Sequence, residues 1–149
     1  MDKSSKNKIA KIMERHGVVA GYLFGSAVNG KMGPHSDIDV AVLFDENVIS
    51  SDRQFDEMLE ISAEISEVCG VQNTDVINLN KVTDPLIRYE SVILGERIFT
   101  NDISKETSLA YHVLREYEDT RHLRNTAYAL LKERIKSGAF GRPYAKVKK

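Results

Sequence analysis

Asp37 and Asp39 flank a single residue at the head of the run Asp37-Ile38-Asp39-Val40-Ala41-Val42-Leu43-Phe44. In a strand, residues two apart project to one face, so both carboxylates aim the same way. Val40 to Phe44 are apolar at every position, as in a strand covered on both sides. At about 5 Å and an effective dielectric of about 20, two carboxylates repel by about 3 kcal/mol. A divalent cation between them removes that cost, and hard carboxylate oxygens suit Mg2+. Asp75 opens a similar stretch, Thr74-Asp75-Val76-Ile77-Asn78-Leu79. If its strand lies beside that of Asp39, three carboxylates converge in the outline of a two-metal site. Gly25 and Ser26 follow the apolar run Val18 to Phe24 and offer backbone N–H groups and a hydroxyl to a phosphate chain.

Each signal has a plainer reading. An acid-x-acid pair commonly starts a strand with both side chains in solvent, Asp75 alone is an ordinary loop acid, and Ser26 alone is a helix N-cap. Their joint spacing is what favours chemistry. Gly25-Ser26-Ala27-Val28-Asn29-Gly30-Lys31 also matches the phosphate-binding pattern G-x-x-x-x-G-K. Met32 stands where that loop needs a Ser or Thr for Mg2+, and Gly33-Pro34 stop the helix it must open. We reject that loop and read Lys31 as a solvated lysine. His35 reads as an exposed loop histidine, and Cys69 as a core residue. Arg115 and His122 share a helix face, but the arginine–histidine pattern of helical ribonucleases needs a bundle, so their spacing reads as coincidence.

The elements that must hold these residues are readable from periodicity. Helices are expected over 5–16, 52–69, 84–95 and 104–136, and strands over 18–24, 37–44, 74–79 and 97–100. In the second helix Phe55, Met58, Ile61, Ile65, Val68 and Cys69 form the apolar stripe, and Gly70 caps its end. Asp84 and Pro85 mark the start of the third. The last helical run has an apolar stripe in two pieces, Ala110 to Tyr117 and Leu123 to Leu131, with the polar Glu118–Arg121 between them. Tyr111, Leu114 and Tyr117 read equally as core or as a partner surface.

The 149 residues, 42% hydrophobic and 29% charged, suit one domain with one core. A single cysteine excludes an internal disulfide framework. Residues 1–100 carry 10 Lys/Arg against 16 Asp/Glu, and residues 101–149 carry 11 against 6. No apolar run approaches a membrane span, and the charged start lacks a signal-peptide pattern, so a soluble cytoplasmic protein is expected. The domain is assigned to residues 1–137, with 138–149 as a basic, mobile tail. Arg142, Lys146, Lys148 and Lys149 are too few to argue for nucleic acid.

Leu23-Phe24-Gly25-Ser26, ten residues, then Asp37-x-Asp39 with Ser36 before it, resembles the DNA polymerase β–type nucleotidyltransferases. The short chain, the later Asp75 and the unit from Pro85 to Phe99 resemble the minimal nucleotidyltransferase (MNT) antitoxins of HEPN–MNT toxin–antitoxin pairs. The resemblance covers about residues 5–135. It implies an α+β polymerase β-like fold, a mixed sheet flanked by helices with a long C-terminal helix. It implies that Asp37 and Asp39 hold two Mg2+ ions and that Asp75 binds the ion activating the incoming hydroxyl. Gly25, Ser26 and Ser36 become the nucleotide-binding residues. The implied reaction moves AMP from ATP to a tyrosine hydroxyl of the HEPN ribonuclease toxin, in a hetero-oligomer. The competing expectations are a small-molecule acceptor such as an aminoglycoside, and a non-catalytic antitoxin acting by occlusion.

Overall fold

A computed structural model describes residues 1–29 and 36–142 of the chain. Asp2 opens the first helix, its carboxylate accepting from the Ser4 and Ser5 N–H groups of α1 (Lys3–Arg15). Strand β1 (Val18–Phe24) follows directly and is buried along nearly its whole length. A single 3-10 turn over Gly25–Ala27 ends it. Strand β2 (Ile38–Phe44) runs back antiparallel to β1, with Phe24 opposite Asp39. Helix α2 (Gln54–Cys69) then crosses over to β3 (Thr74–Asn78), which lies parallel to β2. Parallel neighbours require such a crossover. Helix α3 (Pro85–Val92), capped by Asp84, leads to β4 (Glu96–Thr100) on the far side of β1. The sheet order is β3-β2-β1-β4, a mixed sheet.

Both faces of the sheet are covered, which is why β1 and β2 read as continuous apolar runs. Ile38, Val40, Val42 and Phe44 join Ile9, Ile12 and Met13 of α1 and Ile61 and Ile65 of α2 in one core. Ala20, Tyr22, Ala41 and Leu79 join Val92, Leu109 and Val113 in the other. Two glycines permit close packing. A Cβ at Gly21 would collide with the Met13 sulfur, and one at Gly95 with the backbone carbonyls of Ser91 and Leu23.

Two expectations change. The helical run expected over 104–136 is present but divided into α4 (Ile103–Asp119) and α5 (Arg121–Lys136). Thr120 leaves helical geometry at φ −94° and ψ 1°, and its hydroxyl donates to the Glu116 carbonyl at 2.7 Å, a local bond that bends helices. Tyr117 stacks on Tyr89 at 3.7 Å between ring centroids, and the Arg124 guanidinium lies 3.6 Å over its other side. Helix α5 buries none of its residues. The second change is in α2. Met58, Ile61, Ile65 and Cys69 pack against the core, but Phe55 and Val68 of the expected stripe are exposed. Cys69 is half-buried, and burial raises its thiol pKa. The expected Lys31 and His35 and the tail from 143 onward lie outside the described residues.

Candidate active site

Strand register decides where the acids sit. β2 opens with its apolar face turned to α1 and α2, so Asp39 shares the opposite face with Ala41 and Leu43. In β3, Asp75 is two residues before Ile77, which belongs to that same second core. The two are direct partners across the parallel pair, Asp39 opposite Asp75. Neighbouring strands lie about 4.8 Å apart, so these carboxylates share one strand end. Asp37 precedes β2 by one residue and is exposed, as is Asp75, whereas Asp39 is half-buried.

On the other side of Asp39 stands the end of β1. Gly25 has φ +65°, a left-handed conformation that suits glycine, and a Cβ there would run into the Asp39 carboxylate. The chain thus brings bare backbone against the central acid. The single 3-10 turn that begins at Gly25 leaves its first N–H groups without partners inside the turn, and Ser26 within it is half-buried. Ser36 is half-buried just before Asp37.

Electrostatics single out Asp39. Its pKa is raised, first by burial and then by the negative charges of Asp75 and Asp37. Among the described residues no lysine or arginine lowers it again, and an added cation would offset the gathered negative charge. Three carboxylates with a partly desolvated centre fit a hard divalent ion such as Mg2+. They share a strand end and a field rather than a closed ligand cage. Among the described residues, the group with ligand atoms all within 4.8 Å of one another is instead His16, Glu57 and Glu60. There His16 Nδ1 lies 2.7 Å from Glu57 and Nε2 lies 3.0 Å from Glu64, so both ring nitrogens already bond carboxylates.

Sequence reasoning missed that histidine cluster, whose members come from the end of α1 and one face of α2. The repeat of Glu57, Glu60 and Glu64 at helical spacing was its one visible signal. It also missed the buried Gln54–Asn78 bond, in which Asn78 Nδ2 donates to Gln54 Oε1 at 2.8 Å and ties α2 to β3. Arg115 and His122, whose spacing reads as coincidence, fall on two different helices, and Arg115 faces Asp119 at 3.9 Å.

A mixed sheet with acids at adjoining strand ends beside a glycine turn defines a class, the enzymes that transfer nucleotidyl groups. The family model "Polymerase beta, Nucleotidyltransferase" matches residues 7–104, and the chain belongs to that family. Two Methanocaldococcus jannaschii proteins named for protein adenylyltransferase activity are similar. MJ0435 is 31% identical over 56% of this chain and 82% of its own length, and MJ1379 is 32% identical over 52% and 73%. Among solved structures, a toxin–antitoxin complex with AMP-PNP has a chain matching 87% of this one over 98% of its own length. Its identity is 21% and its TM-score 0.64. A mutant form of the toxin–antitoxin pair MntA–HpeT matches with the same coverage, at 18% identity and a TM-score of 0.63. These likenesses establish the polymerase β-like fold. No helix among the described residues is long and apolar enough to cross a membrane.

Proposed function

We propose that this nucleotidyltransferase is the antitoxin of a HEPN–MNT pair, a cytoplasmic, Mg2+-dependent protein adenylyltransferase. The carrying observation is the register that sets Asp75 opposite Asp39 while Gly25 abuts the same carboxylate. Asp37, Asp39 and Asp75 form the catalytic and metal-holding set, and Gly25, Ser26 and Ser36 hold the nucleotide. Residues 1–137 form the catalytic unit and 138–149 a basic tail.

The donor is ATP and the acceptor a tyrosine hydroxyl of a helical ribonuclease toxin. The phenolic oxygen bonds to the α-phosphorus while the bond from that phosphorus to the bridging oxygen breaks. Pyrophosphate leaves with the electron pair, and the phenolic proton passes to solvent. Mg2+ ions, when bound, offset the phosphate charge and the charge that builds on the leaving oxygen. The chain's own contribution is position: the turn at Gly25 and Ser26 directs the phosphates, and the aspartates fix where the charge is met. Support for a protein acceptor comes from the adenylyltransferase relatives and from the toxin–antitoxin complexes of the same fold.

The test is transfer of labelled AMP from ATP to a helical HEPN-type ribonuclease mixed with this chain, with Mg2+ and with chelator. Label on a toxin tyrosine, lost with chelator, is expected. Label on aminoglycosides and none on the toxin would replace the protein acceptor with a small molecule.

A further inference from the structure

Helix α5 has an apolar face that nothing among the described residues covers, and it buries none of its side chains. At 3.6 residues per turn, Leu123, Ala127, Tyr128, Leu130, Leu131 and Ile135 fall within an arc of about 160°, as wide as a face that packs on a core. Leu123 is 68% exposed and Tyr128 61%. A groove of about 420 Å³ opens beside this face, lined by Pro85 and Leu86 of α3 together with Leu123, Ala127 and Leu131. An apolar stripe and groove of this kind mark a contact surface.

Charge selects what fits there. Helix α5 carries five Lys/Arg against one Glu, so two α5 helices laid together would set like charge against like. The chain itself holds the complement. Helix α2 has five Asp/Glu and no Lys or Arg. Glu57 and Glu64 bond His16, which leaves Asp56, Glu60 and Glu67 in solvent. Helical spacing sets those three beside Phe55, Leu59 and Ala63, exposed residues that the core never reaches.

We propose that α5 of one copy packs along the outer face of α2 of a second copy, so that the chain associates with itself head to tail. Leu123, Tyr128 and Leu131 meet Phe55 and Leu59. Arg121, Lys132 and Lys136, which border the α5 stripe, meet Asp56, Glu60 and Glu67. The inference goes beyond the adenylyl-transfer reading and does not rest on it. Helix α2 packs on one face of the sheet, and α4, from which α5 continues, packs on the other. The contact therefore joins unlike patches, and each added copy leaves one of each free. A helix-on-helix contact about 24 Å long is small, so the association is weak and salt-dependent.

The experiment follows weight-average mass by sedimentation equilibrium, at low and high salt, for the unmodified chain, Phe55→Arg and Leu131→Glu. Both residues are exposed, so the fold should persist, and melting curves verify it. With rising concentration at low salt the unmodified chain should climb above 16.8 kDa, and high salt should return it toward that mass. Each variant alone should stay at the monomer mass. Mixed in equal amounts they should associate again, because one supplies an intact α5 and the other an intact α2. An unmodified chain still monomeric at about 1 mM overturns the contact, and so does a mixture that stays monomeric. Association that survives Leu131→Glu overturns it outright. Association that survives Phe55→Arg but not Leu131→Glu overturns it in favour of α5 pairing with itself. A monomeric chain whose binding to a HEPN-type ribonuclease weakens in Leu131→Glu overturns it in favour of a partner protein as the cover of α5.

Discussion

At the scale of single residues, Asp39 carries the most information. It is the acid held between a glycine turn and a second acid, and its burial makes its charge costly without a cation. Asp37→Asn and Asp39→Asn each remove one charge from that group. The loss of about 4 kcal/mol of transition-state stabilisation would slow AMP transfer about a thousandfold. The same changes relieve repulsion in the metal-free chain, so melting temperature without Mg2+ should hold level or rise. Labelling assays and melting curves on the same variants measure both. A steep fall in metal-free stability would make the acids structural and sink the electrostatic account. The signals at Gly25, Asp37, Asp39 and Asp75 were legible because strand periodicity is short and two carboxylates at period two share a face. The left-handed turn that presses Gly25 against Asp39 was not, since it depends on where β1 ends relative to β2.

At the scale of elements, the least legible feature is the seam between α1 and α2. His16 closes α1 and sits buried with Glu57 and Glu64 on its two nitrogens, Glu60 at 3.9 Å, and Arg15 and Arg53 bonding two of the glutamates. Burial opposes the imidazolium, yet the bonds to Glu57 and Glu64 outweigh it and raise the His16 pKa. A raised folded pKa contributes stability that is fully present below the unfolded value of about 6.5 and is lost as pH rises through the folded value. Melting temperature should therefore fall as pH climbs past neutrality, and His16→Gln should flatten that slope. An unaltered slope in His16→Gln would show that the clasp does not titrate. Periodicity located both helices but could not pair them, because which polar face of α2 meets α1 is settled by tertiary packing. The same limit explains Phe55 and Val68, apolar residues at helical spacing that the core never reaches. It explains Thr120 too, where the polar stretch Glu118–Arg121 hinted at an interruption that propensity alone did not place.

At the scale of the whole molecule, two cores grip one sheet and α5 stands outside both. Leu123, Tyr128, Leu130, Leu131 and Ile135 are all exposed along it, and the Arg124–Tyr117 contact ties it back across the junction. Such a contact is worth about 1 kcal/mol at an exposed site. A chain ending at Thr120 but keeping Tyr117 should therefore melt within about 4 °C of the full one. Thermal unfolding of that truncation checks it, and a collapse in stability would show that α5 supports the core after all. The sheet itself has an uneven history written into its order. Asp37, Asp39 and Gly25 come from one antiparallel pair, close in the chain and quick to form. Asp75 reaches Asp39 only when α2 has closed a parallel crossover over some three dozen residues, a pairing that is slow because loop entropy is spent before the contact exists. During synthesis, then, Gly25 and Asp39 are brought together while Asp75 is still adrift, and the acids gather only when the edge strand β3 docks.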